Sequence, residues 1–140
     1  MQREFPASVV AILEAAMPRT LGIVVTSATL DRVEGKMRIA PLHCNPTGNV
    51  NGGALMTFAD TLGAVGAAMH RPAGHRGGTI ESKTNFLAAG FGPVLSAVSV
   101  PLHVGRTTSV WQTTITNPDG KAVAVVTQTQ ISLPIRQRGR

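Results

Sequence analysis

The spacing of apolar residues changes along this chain from a helical to a strand-like period and back. Phe5, Val9, Ile12, Leu13 and Ala16 recur at helical spacing and Pro18 ends the pattern, which predicts a short amphipathic helix within residues 1–18. Leu21 to Leu30 and Gly35 to Ala40 read as two strands joined by a turn around Asp31 to Gly35. Pro41 to Val50, holding Asn45-Pro46-Thr47-Gly48, reads as a loop. A second helix follows the glycine pair Gly52-Gly53 and runs to Met69, with Leu55, Phe58, Leu62, Val65 and Met69 on one apolar stripe. After a loop containing Pro72, Gly74 and Gly77-Gly78 come four β-rich segments: Thr79 to Leu87, Val94 to His103, Thr107 to Thr116 and Ala122 to Leu133. Asn117-Pro118-Asp119-Gly120 supplies a hairpin turn between the last two.

This order predicts an α+β fold in which one antiparallel sheet wraps around a central apolar helix. A single sheet covers only one side of such a helix, so a second subunit is expected to cover the rest, making at least a homodimer. The chain has 140 residues, of which 43% are hydrophobic, and shows no repeat, low-complexity tract or linker, so one domain over 1–140 is expected. Residues 134–140 form a basic tail expected to be solvated and flexible.

The charge narrows the partners. Against a net charge of +6 there is no Tyr, one Trp and four Phe to stack on bases, so nucleic acid is not expected as a partner. A phosphorylated small molecule such as coenzyme A needs only a few placed cations, for which His70-Arg71, His75-Arg76 and Arg106 are available. The opening Met1-Gln2-Arg3-Glu4-Phe5-Pro6 lacks the basic and apolar regions of a secretory signal, and the apolar run from Ala54 to Met69 is too short, and too polar at Asp60, to span a membrane. A cytoplasmic location is expected. The single cysteine, Cys44, excludes an internal disulfide and stands beside His43. Adjacent residues on an extended segment point to opposite faces, so a buried, inert thiol is expected rather than a Cys/His nucleophile. His43, His70, His75 and His103 have no metal-site spacing, and no metal is expected.

Asp60 is the first candidate for chemistry. It is the only acidic residue between Glu34 and Glu81 and lies within the apolar helix, where an unpaired carboxylate is expensive to bury. Its neighbours one turn away, Met56, Thr57, Gly63 and Ala64, are mostly small and leave room beside it. A carboxylate hydrogen-bonded purely for structure is the alternative.

The stretch Asn45-Pro46-Thr47-Gly48-Asn49-Val50-Asn51-Gly52-Gly53 followed by Asp60 resembles the signature of hotdog-fold acyl-CoA thioesterases, in particular the phenylacetate-pathway (PaaI-like) branch. Leu102-His103-Val104-Gly105-Arg106-Thr107 and Asn117-Pro118-Asp119-Gly120-Lys121-Ala122-Val123-Ala124 resemble that family's last two strands, so that the likeness covers roughly Leu21 to Leu133. It implies a hotdog fold, hydrolysis of an aryl- or medium-chain acyl-CoA to acid and CoA, no cofactor beyond the CoA of the substrate, and a homodimer or a dimer of dimers. By the same likeness Asn45 and Thr79 help to position the attacking water and the thioester. The family usually has His before the two glycines, where this chain has Asn51, which keeps a hydrogen-bond donor but cannot carry a proton near neutrality.

Physical reasoning assigns the rest. Amide N–H groups of Gly52 and Gly53 at the helix start can hold a developing oxyanion, and Asp60 can activate water or attack the carbonyl. Eight helical residues separate Gly52 from Asp60 by about 12 Å, too far for both to touch one carbonyl, so each site is expected to take Gly52 from one subunit and Asp60 from the other. Met56 and Phe86, with the small residues Gly63, Ala64 and Ala67, suit an aromatic or medium aliphatic acyl chain, while Arg106, with Thr107 beside it, is the candidate for a CoA phosphate. Two other functions fit parts of this pattern. A non-catalytic acyl-CoA binding or sensing protein would have no use for Asp60, and a hotdog hydratase would want a His that is missing between Asn45 and Met69.

Overall fold

The computed structural model describes residues 5–137, so Met1 to Glu4 and Arg138 to Arg140 of the expected terminal segments lie outside it. Two short helices, α1 (Ala7–Leu13) and α2 (Ala16–Thr20), lead into strands β1 (Ile23–Ala28) and β2 (Val33–Arg38). A single 3-10 turn (Pro41–His43) and the long helix α3 (Gly52–Met69) follow, then β3 (His75–Phe86), β4 (Val94–Val104), β5 (Thr108–Thr116) and β6 (Ala122–Pro134). All neighbouring strands pair antiparallel in one six-stranded sheet of order β1-β2-β4-β5-β6-β3. The expected α+β architecture, a sheet wrapped around a central helix, is the one observed.

Period-two alternation sets the sheet's inner face. Leu95 and Ala97 of β4, Trp111 and Ile115 of β5, and Ala124 and Val126 of β6 are buried against α3, which contributes Leu55, Phe58, Leu62 and Val65. Met69, the last residue of the expected stripe, is only half-buried. Small residues let the helix approach the sheet closely. At Gly66 an added Cβ would stand 2.5 Å from Cζ3 of Trp111, a ring that is itself fully buried.

Several expected boundaries are corrected. Pro18 does not end the first helix. The chain breaks before it, and Pro18 falls in the first turn of α2, where its missing N–H costs no helical hydrogen bond. Helix α1 buries Val9 completely and sets Phe5, Ile12 and Leu13 against the core, so the chain's own N-terminus provides part of the cover that the sequence assigned to a second subunit. The β1–β2 reversal sits earlier than expected, with the Thr29 N–H donating to the Arg32 carbonyl at 2.8 Å. Gly77 and Gly78 belong to β3 rather than to the loop before it.

The His43-Cys44 pair is also resolved. The Ala40 N–H donates to His43 Nδ1 at 2.9 Å, so Nε2–H is the donor to the Leu21 carbonyl at 2.8 Å and both ring nitrogens are occupied. The buried imidazole ties the loop before α3 to the start of β1. Cys44 is half-buried rather than buried, with Sγ 3.6 Å from the Ala40 carbonyl, and His43 has no free nitrogen with which to activate it.

Because the Trp111 ring cannot retreat, Gly66→Ala is expected to destabilise the fold by about 1–3 kcal/mol through overpacking. Urea unfolding measures this, and a midpoint equal to that of the parent chain would show that α3 does not approach β5 as described.

Candidate active site

Helix α3 turns Asp60 toward β3 and β6. The half-buried carboxylate accepts two hydrogen bonds on the same oxygen, Oδ1: from the Thr79 hydroxyl at 2.7 Å and from Gln128 Nε2 at 2.8 Å. Gln130 Nε2 donates in turn to Thr79 Oγ1 at 2.9 Å, which leaves the Thr79 proton pointing at Asp60. Among the described residues no donor reaches Oδ2. Asp60 opens on a groove of about 470 Å³ between α3 and the N-terminal helices, walled by Ala11, Ile12, Met17, Thr57, Ala64 and Arg71.

Gln128 and Gln130 were not among the residues singled out from sequence. Both are buried, at 0% and 2% exposure, in the inward phase of β6 that carries Ala124 and Val126 earlier in the strand. A carboxylate can only accept, so the Gln128 amide must present its nitrogen to Asp60. Its oxygen is then buried without a partner against Gly63, where any Cβ would collide with it. An orphaned acceptor of this kind costs about 1–3 kcal/mol. Polar side chains at two successive inward positions were the available signal in the sequence.

The head of α3 forms a second cluster. Asn51 is the N-cap: its Oδ1 accepts from the Gly53 N–H at 2.7 Å, and its Nδ2 donates to Asn45 Oδ1, also at 2.7 Å. The Gly53 amide is therefore consumed by the cap. The expected pair of amide donors reduces to one, because among the described residues only the Gly52 N–H is left without an acceptor. Asn45 is set in a tight turn that Gly48 closes at φ +84°, and since its oxygen is taken by Asn51, its own amide nitrogen remains free to donate. The Phe86 ring lies over Gly52, where a Cβ would stand 2.9 Å from its tip, and Met56 is exposed one turn along the helix.

The structure thus brings Asn45, Asn51, Gly52, Gly53, Met56 and Phe86 together at one place and Asp60 with Thr79 at another, about 12 Å along the same helix axis. Arg106 and Thr107 join neither group. They are exposed on the β4–β5 turn, and Arg106 lines a separate cavity of about 320 Å³ beyond the C-terminal end of α3, shared with His70, Arg71 and Ser132. Chemically, a carboxylate anchored through one oxygen and open on the other, combined with an unoccupied amide at a helix N-terminus, suits addition of an oxygen nucleophile to a carbonyl.

The model of the Thioesterase superfamily matches residues 47–124. The chain is 32% identical to the proofreading thioesterase EntH of Cronobacter sakazakii over 75% of this chain and 77% of that protein. It is 23% identical to the 1,4-dihydroxy-2-naphthoyl-CoA hydrolase of Listeria monocytogenes over 78% of this chain and 89% of that one. In fold it is similar to the PaaI protein from the phenylacetic acid degradation operon of E. coli, with a TM-score of 0.80, 24% identity and coverage of 89% of this chain and 88% of the other.

Asn51 carries the helix cap and the Asn45 contact with one side chain. Asn51→Ala is expected to lower stability by about 1 kcal/mol, and Asn51→Ser, which keeps a capping oxygen, by less than half as much. Denaturant titration of the three proteins checks this; indistinguishable midpoints would mean that the cap oxygen contributes nothing.

Proposed function

Because the chain belongs to the Thioesterase superfamily, in which its relatives are named thioesterases and CoA hydrolases, we propose that it hydrolyses the thioester of an aryl- or medium-chain acyl-CoA. Either water, giving its proton to Asp60, adds to the thioester carbonyl and the carbon–sulfur bond breaks, or the Asp60 carboxylate adds, CoA leaves, and water then cleaves the resulting mixed anhydride. In both routes the thiolate takes up a proton and the products are the free acid and CoA. The observation that carries this reading is the state of Asp60: Oδ1 is fixed by Thr79 and Gln128, no donor among the described residues reaches Oδ2, and the residue lines the groove. A protein that merely bound acyl-CoA would gain nothing from the buried amide oxygen that this anchoring leaves unpaired.

The other roles follow from the groups left free. The Gly52 N–H holds the developing oxyanion at the helix terminus, and Gly53 allows close approach while its amide serves the cap. Asn45 donates to the thioester or the attacking water through the nitrogen that Asn51 leaves exposed. Asn51 acts as an orienting donor, a role that an amide can fill without titrating near neutrality. Phe86 and Met56 flank the acyl group beside Gly52, and Arg106, with Thr107, meets a phosphate of CoA.

A homodimer completes the site in this reading. Gly52 and Asp60 lie about 12 Å apart along one helix, so a single carbonyl reaches both only if they come from different subunits. Strand β3 supports the same conclusion: it pairs with β6 on one side only, and its Ile80 and Phe86 are 57% and 55% exposed. A twelve-residue edge of this kind is a pairing surface for a second copy.

Two outcomes test the proposal. Asp60→Asn should lower kcat for thiol release from acyl-CoA by at least about a hundredfold with little change in ligand affinity, because the loss falls on the chemical step. Turnover near the parent rate would make Asp60 a structural residue. Mixing the inactive Asp60→Asn and Gly52→Val proteins under conditions of subunit exchange should restore up to about a quarter of the sites, since half of the random dimers are mixed and each mixed dimer holds one intact site. No recovery, with exchange demonstrated by mass spectrometry, would place both groups within one chain.

A further inference from the structure

Arg71, two residues beyond the end of α3, is a half-buried cation that the reaction described above does not use. Its Nε is shut off from solvent and has no hydrogen-bond acceptor among the described residues, where the only ion pair is Arg32–Glu34. A buried donor without an acceptor is costly. Closed to solvent, Nε is closed to an incoming anion as well, so an anion meets this half-buried guanidinium through its terminal nitrogens. The guanidinium is seated over Gly77, where an added Cβ would lie 2.7 Å from Arg71 Cζ. Glycine near the start of β3 leaves this space open, which a Cβ would share with the Ile131 carbonyl, also 2.7 Å away.

The position of that seat relative to Asp60 follows from the β3 register. Gly77 pairs with Ser132 and Thr79 with Gln130 without a bulge between them, so the two residues face the same side of the strand, about 6–7 Å apart. Thr79 holds the Asp60 carboxylate and Gly77 carries the Arg71 guanidinium. Both charged groups line the same groove, whose wall between them includes the apolar Ala11, Ile12, Ala15 and Ala64.

We propose that Arg71 receives a carboxylate at the far end of the acyl group, which makes short ω-carboxyacyl-CoAs the preferred substrate class. This rests on the thioesterase reading of Asp60. A thioester carbonyl within reach of Asp60 Oδ2 and a terminal carboxylate in two-point contact with the guanidinium are spanned by about two to four methylenes, as in succinyl-, glutaryl- and adipoyl-CoA. The phosphates of CoA are the other anions the ligand carries. They are strongly hydrated and suit the exposed Arg106 better than the half-buried Arg71, which borders the Arg106 cavity on one side and the groove of Asp60, with its apolar wall, on the other.

Thiol release from glutaryl-CoA and from pentanoyl-CoA, its neutral counterpart, tests the inference. The parent enzyme should favour glutaryl-CoA by at least about tenfold in kcat/KM, and Arg71→Met should reduce the glutaryl value at least about tenfold more than the pentanoyl value. Gly77→Ala, which keeps the cation but displaces it and also crowds the Ile131 carbonyl of β6, should shift selectivity in the same direction in a protein shown to be folded by circular dichroism. A parent preference for the neutral chain overturns the proposal. So does an equal loss on both substrates, which would assign Arg71 to CoA, to a partner subunit or to the fold. If neither substrate is hydrolysed, the thioesterase reading fails by itself, and calorimetric binding of the two CoA esters to Asp60→Asn, with and without Arg71→Met, still decides: affinity for glutaryl-CoA must depend on Arg71 more strongly than affinity for pentanoyl-CoA does.

Discussion

The hydrogen bond from buried Gln128 to Asp60 is the constraint on which the rest of the site depends. It places a full side-chain amide, with that of Gln130 beyond it, between α3 and the sheet, in a core that is otherwise mostly apolar. Room for it exists because the helix is small at that level: Gly63 faces the amide oxygen, and Gly66, one turn on, faces Trp111. The helix therefore spends packing on geometry. It gives up the contacts that larger residues would make, and leaves an acceptor unpaired, in return for a carboxylate whose orientation is fixed from one side only.

A second economy operates at the helix start. A helix N-terminus offers several unsatisfied N–H groups, and a bound oxyanion can use them only if the chain has not already done so. Asn51 takes the Gly53 amide for its cap and leaves that of Gly52 open. The same side chain fixes the direction of the Asn45 amide through its nitrogen. As an amide, Asn51 serves these orienting functions but cannot carry a proton near neutrality.

Much of the fold was legible in the sequence, because the period of the apolar residues changes cleanly between elements and Gly and Pro mark the joints. The break at Pro18 was misread, since a proline can end a helix or sit in the first turn of the next, and only the packing of Val9 and Ile12 on α3 decides which. Asp60, Thr79, Asn45 and the glycine pair stood out as residue types at odds with their surroundings or by family likeness. Gln128 and Gln130 did not, although they continue the phase of Ala124 and Val126, because the strand is polar in both phases from Thr127 onward and the signal is easily overlooked. Gly53 was credited with a free amide because its cap is a side-chain contact, invisible without coordinates. Arg71 was legible only as one of several cations available to a phosphate, since only the sheet register puts Gly77 beneath it.

That register turns on one residue. Ile80 has no partner on β6, so pairing slips between Thr79 and Glu81 and the strand reverses its phase. Before the bulge, Gly77 and Thr79 face inward; after it, Ser82, Thr84 and Phe86 do. Ser82 meets Gln128, the Thr84 hydroxyl is buried, and Phe86 covers Gly52. Were Ile80 instead paired in regular alternation, the inward set would continue through Glu81 and Lys83, placing a second carboxylate and an ammonium on the face that holds Asp60, while Phe86 would turn away from the helix head. The bulge thus lets one edge strand support Asp60, seat Arg71 and cover Gly52, and it leaves Ile80 exposed.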